Sequence, residues 1–165
     1  MSDDVDRLIA DWQRERPDVD LSPLEVLSRV TRLSQLLDQA RKEAFADHDI
    51  VGWEFDVLAA LRRAGDPYEL SPGRLIKQTL VTSGTMTNRV DRLVGRGLVS
   101  RSPDPADRRG VLVRLTEVGR AVVDGALESL LTHEEALLAG IDGAQRAELS
   151  RLLRRLMVGA GGEVD

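Results

Sequence analysis

Apolar side chains recur along most of this chain at steps of three and four residues, the period of an amphipathic helix. Val5, Leu8, Ile9 and Trp12 predict a first helix over 5–13, which the break Arg16-Pro17-Asp18 ends. A second begins with Ser22 as N-cap, Pro23 at the first helical position and Glu25 completing a capping box. Leu24, Leu27, Val30, Leu33, Leu36 and Leu37 then carry it toward Phe45. A helix this long that is not followed by its own core usually packs against a partner. Residues 51–64 predict a third helix, with Phe55, Val57, Leu58 and Leu61 inward and a stop at Gly65-Asp66-Pro67.

The next stretch has denser punctuation. Ser71-Pro72 opens a short helix with Leu75 and Ile76 inward, 80–84 supplies a turn, and 85–95 forms a second helix on which Met86, Val90, Leu93 and Val94 share a face. Two short strands follow, 97–101 and 111–115, around a polar loop over 102–110. The order is helix, turn, helix, then a hairpin wing. Thr116 caps a long helix running to about Ala139, and Asp142 with Gln145 starts a last one bearing Leu149, Leu152, Leu153 and Leu156. Residues 159–165 read as a frayed tail. The fold class is mainly α with a small β wing.

Composition narrows the function. A chain of 165 residues with 42% hydrophobic content can build one domain, or two that share a core. It has no cysteine, and its two histidines, His48 and His133, lie far apart, so neither a disulfide framework nor a metal or cofactor site is expected. No apolar run approaches a membrane span, and the acidic start lacks the pattern of a secretion signal, which predicts a cytoplasmic protein with no membrane partner.

The net charge of −5 argues against a polyanionic partner until its distribution is considered. From Ser71 to Leu115, Arg74, Lys77, Arg89, Arg92, Arg96, Arg101, Arg108, Arg109 and Arg114 face only Asp91, Asp104 and Asp107. A positive island on an acidic body is the footprint of a local contact with duplex DNA. The plain alternative is a solvated charged surface.

From about Phe55 to Gly119 the chain resembles the MarR family of bacterial regulators. The matching motifs are the helix 75–80, the run Thr87-Asn88-Arg89-Val90-Asp91-Arg92-Leu93, then Arg96-Gly97-Leu98-Val99-Ser100-Arg101, the wing Asp104-Pro105-Ala106-Asp107-Arg108-Arg109, and Leu115-Thr116-Glu117-Val118-Gly119. The resemblance implies a winged helix-turn-helix in an intertwined homodimer, with helices 1–50 and 116–165 interlocking and possible ligand contacts in the first, around a DNA-binding region 51–115. On the recognition helix, Ser83, Thr85, Thr87, Asn88, Arg89 and Arg92 fall where bases or phosphates are met. Plain capping is the alternative for the hydroxyls. In the wing, Arg109 resembles the family arginine that enters the minor groove, Asp107 its carboxylate partner, and Arg108 a phosphate contact. Two-fold symmetry then predicts a pseudo-palindromic operator on double-stranded DNA.

A narrower resemblance rests on the first helix. In the urate-responsive branch, a tryptophan there, an aspartate on the helix before the helix-turn-helix and an arginine on the recognition helix form a ligand pocket, and Trp12, Asp56 and Arg89 stand in matching places. An indole stacks on a flat heterocycle, a carboxylate accepts ring N–H bonds, and a guanidinium pairs with an anionic oxygen. A related branch uses the scaffold for tricarboxylates. This implies a repressor released by a small anionic effector, urate or a related purine. Alternatively Trp12 plugs the dimer core, Asp56 pairs with Arg62 or Arg63, Arg89 meets phosphate, and the protein is a ligand-independent architectural winged helix. No catalytic constellation is present in the sequence: neither histidine lies in a nucleophile or metal motif, and no glycine-rich phosphate loop follows a strand.

Overall fold

The computed structural model describes residues 2–161, except the side chains of Arg108 and Arg109. Seven helices and a three-stranded sheet are found among them: α1 (Asp4–Glu15), α2 (Ser22–Ala46), α3 (Gly52–Arg63), β1 (Glu69–Leu70), α4 (Pro72–Thr79), α5 (Ser83–Gly95), β2 (Val99–Asp104), β3 (Asp107–Leu115), α6 (Glu117–Leu137) and α7 (Gly143–Gly159). The sheet is antiparallel with β3 in the centre, flanked by β1 and β2. No helix among the described residues is long and apolar enough to cross a membrane.

The core gathers α3, α5, the sheet and one side of α6. Phe55, Val57, Leu58 and Leu61 on α3, Leu75 on α4, Met86, Val90 and Leu93 on α5, Val99 and Val113 in the sheet, and Val123 and Ala126 on α6 are all buried together. Phe45, from the end of α2, stacks on Phe55 at 4.5 Å and joins α2 to this core. Gly119 allows α6 to enter closely: a Cβ there would lie 1.9 Å from the carbonyl oxygen of Leu98. The Thr116 hydroxyl seals the same junction by donating to the Gly97 and Leu98 carbonyls.

Several local expectations are corrected. Ser22 is the first residue of α2 rather than its cap; Leu21 holds the N-cap position without a side-chain cap bond, and Asp20 accepts from the Ser22 amide and hydroxyl, both at 2.9 Å. An aspartate two residues upstream satisfies the orphan N–H of the first helical residue, so Ser22 is drawn into the helix rather than capping it. α5 begins at Ser83, because Thr82 caps it and Leu80, in the left-handed conformation with φ 53°, ends α4. Val94, expected inward, is exposed. The strands run further toward the wing tip than 97–101 and 111–115, leaving only Pro105 and Ala106 outside them. The two-residue strand β1 carries no sequence signal of its own and forms because Glu69 and Leu70 meet Arg114 and Val113 of β3. α7 continues to Gly159 with a cap at Ala160; residues 162–165 of the expected tail lie outside the described ones.

The long helices keep the apolar stripes that the sequence showed, uncovered. Val26, Leu27, Val30, Leu33 and Leu36 on α2, Leu127 and Leu131 on α6, and Leu149, Leu152 and Leu156 on α7 are exposed, and α7 buries none of its residues. A 17-residue helix with nothing buried gains little apolar packing within one chain, where Arg146 ties its start to Glu135 and the Leu138 carbonyl of the preceding segment.

Candidate nucleic-acid interface and effector residues

The recognition helix α5 has a buried side and an exposed side. Met86, Val90 and Leu93 anchor it, which turns Ser83, Thr85, Thr87, Asn88 and Arg92 outward and leaves Arg89 half-buried at the edge. Two of the hydroxyls also serve the helix: Thr85 shares a 2.9 Å hydrogen bond with the capping Thr82, and Thr87 donates to the Ser83 carbonyl at 3.1 Å. Each hydroxyl retains acceptor capacity for an outside donor.

Among the described residues of the island, three arginines are spent inside the protomer. Arg96 pairs with Glu54 and Asp49, Arg101 with Asp91, and Arg114 with Glu69. Glu54 is buried and also accepts the Val51 amide, so the Arg96 pair clamps the end of α5 to the start of α3. Arg101 ties β2 to the exposed face of α5, reaching Asp91 at 2.5 Å and the Thr87 carbonyl at 3.5 Å. Among the described residues, Arg74, Lys77, Arg89 and Arg92 make no ion pair and keep their charge for an external anion. Asp107 opens β3 at the wing tip; the side chains of Arg108 and Arg109 lie outside the described residues.

The three effector candidates are apart within one protomer. Trp12 is half exposed on α1, which packs on α2 through the buried Val5 and through Arg29 and Arg32 paired with Asp3, Asp6 and Asp4. Asp56 binds Arg41 at 2.9 Å, not Arg62 or Arg63; Arg62 takes Asp124 instead. Arg89 lies over the ring of Trp53. Among the described residues no hydrogen bond, ion pair or ring contact joins any two of Trp12, Asp56 and Arg89. Of two clefts in the protomer, the larger is lined by none of the three and the smaller, of the three, by Asp56 alone. One, of about 740 Å³, lies between α2, the start of α3 and the end of α5, and is lined by Arg41, Lys42, Phe45, Ile50, Arg92 and Arg96 among others. The smaller, of about 260 Å³, is lined by Asp56, Arg63, Gln78, Thr79 and Leu80. Trp53 and Arg41 were invisible to sequence patterning, since their partners are distant in the chain.

No group of three or more metal-ligating side chains occurs among the described residues. A two-sided helix seated on a winged sheet, with unpaired cations outward, is a nucleic-acid reader's geometry. Residues 48–110 match the model of the MarR family. PecS of Dickeya dadantii, an HTH-type transcriptional regulator, is 34% identical over 153 residues, covering 93% of this chain and 92% of its own. The chain belongs to the MarR family. A mutant of E. coli MarR solved in complex with operator DNA superposes with a TM-score of 0.71 at 29% identity, over 85% of this chain and 99% of that one. Bordetella bronchiseptica BpsR, solved to explain regulation of its DNA binding by 6-hydroxynicotinic acid, gives 0.67 at 31% identity, over 79% and 91%. As a MarR-family protein, this chain is a winged-helix DNA-binding transcriptional regulator and not an enzyme.

Proposed function

We propose that this MarR-family regulator is a homodimeric repressor that grips a pseudo-palindromic operator and is released from it by a small planar organic anion, with urate the first candidate. The observation that carries the DNA side is the exposed face of α5, where Thr85, Thr87 and Asn88 stand beside Arg89 and Arg92, two cations with no counter-charge among the described residues. Ser83 joins them at the first turn, and Asp107, Arg108 and Arg109 supply the wing contact. The uncovered stripes on α2, α6 and α7 supply the dimer surface.

The effector reading rests on Trp12, Asp56 and Arg89, with Trp12 delivered across the dimer or by movement of α1. Regulation of the relative BpsR by 6-hydroxynicotinic acid, a flat heterocyclic carboxylate, favours this over a ligand-independent architectural role. Arg89 is on the DNA-reading helix, so an anion that captures its guanidinium opposes DNA binding, and DNA must weaken the anion by the same factor. A gel-shift titration on the DNA upstream of its own gene tests this. Urate should release the wild type, whereas Arg89→Ala should not respond; full release of that variant would refute the assignment of Arg89.

A further inference from the structure

The side chain of Trp53, at the start of α3, is half-buried and packed against the core, yet its ring carries two charges. The guanidinium carbon of Arg89 lies 5.3 Å from the ring centre and that of Arg92 lies 5.1 Å from it. The two arginines are three residues apart on α5, a spacing at which like charges face and repel each other. The negative face of an indole attracts both cations without neutralising either. A carboxylate partner would also fix them, as Asp91 fixes Arg101, but it would cancel the charge and have to be displaced by any incoming anion.

We propose that Trp53 is a positioning residue for DNA binding: it holds the Arg89 and Arg92 guanidiniums in place and fully charged, so that less side-chain freedom is lost when a phosphate or base arrives. This rests on the reading that α5 meets the duplex. The effect is indirect, because Trp53 sits on α3 and acts through the two arginines.

A double-mutant cycle tests it, with binding of the full-length protein to a fluorescein-labelled duplex of its own upstream DNA followed by anisotropy. Trp53→Leu should weaken binding about fivefold in the wild-type background, the scale of one or two such contacts, and should have no effect in the Arg89→Ala/Arg92→Ala background. The same loss in both backgrounds would show a structural role and overturn the proposal. Wild-type affinity in the double-alanine protein would instead overturn the reading that these arginines touch DNA, and the proposal with it. Should Trp53→Leu not fold, Trp53→Phe keeps an aromatic face and should lose less than about twofold; a loss as large as that of the double-alanine protein would be the contrary result. In the free protein the arginine Nε–H resonances should move out of their ring-shifted positions in Trp53→Leu, and unmoved resonances would show that the guanidiniums do not lie over the indole in solution.

Discussion

One guanidinium nitrogen of Arg96 lies 2.9 Å from both carboxylate oxygens of Glu54, joining two side chains 42 residues apart in the chain. The carboxylate is buried while the arginine is about one-third exposed, so the pair is held inside but approached by water from one side. Arg96→Ala would leave a buried carboxylate with only the Val51 amide, at a cost of about 1–3 kcal/mol. Thermal unfolding should show this as a lowered Tm. Adding Glu54→Gln should recover part of it, because the stranded charge is then gone. An unchanged Tm in Arg96→Ala would mean that the pair does not carry the α3–α5 junction.

The contact of Gly119 with Leu98 makes a sharper prediction. Backbone cannot yield as a side chain can, and an added methyl group would overlap the Leu98 carbonyl. Gly119→Ala should cost about 3 kcal/mol by forcing α6 off the end of β2. Gly125→Ala meets only the ring of His48, at 2.9 Å, and should cost less, with loss of the His48–Ser129 hydrogen bond. Chemical denaturation of the two variants side by side would expose a reversed order.

The attachment of α1 is ionic at its rim and should be acid-labile. The Arg29 guanidinium, foremost, holds the Asp3 carboxyl below its ordinary value of 3.8, and the Asp3 backbone amide, then Arg29, does the same for Asp6. Because these values are lowered by folding, the contribution is fully present above about pH 4 and disappears as pH falls through the lowered values. Hydrogen exchange of the α1 amides should therefore be flat from neutral pH to about 5, after correction for intrinsic rates, and rise only in stronger acid. Arg29→Gln should raise it at neutral pH as well; equal protection in both proteins would contradict the clamp.

The proposed dimer surface can be tested without touching the core. Leu33 lies mid-stripe on α2 and is 39% exposed in the protomer, so Leu33→Asp should leave the monomer folded but place a charge in the dimer interface. Light scattering should report a halved mass at micromolar concentration, and operator affinity should fall as the second half-site contact is lost. A variant that stays dimeric would move the interface elsewhere.

The helices were legible in the sequence wherever period and punctuation agreed. Thr116 and Asp142 cap the helices expected of them, and Phe55, Val57, Leu58 and Leu61 point inward as their spacing requires. Ser22 misled because Asp20, two residues earlier, offers the same chemistry from outside the helix. β1 was illegible because two residues have no period; only β3 makes them a strand. At the site, residue types on α5 were readable from its register, but pairings were not. Asp56 meets Arg41 and Arg89 meets Trp53 through contacts that tertiary packing creates and local sequence does not encode.

The central place of β3 in the sheet has a consequence for what the molecule can measure. Through β1 the strand is fastened to the segment between α3 and α4, and through β2 to the end of α5, so the wing and the reading helix are braced from both flanks. Each protomer is then a ruler of fixed length. In the dimer proposed above, operators of different spacing would not be accommodated by stretching the ruler, and the adjustment would fall to the junction between the two protomers.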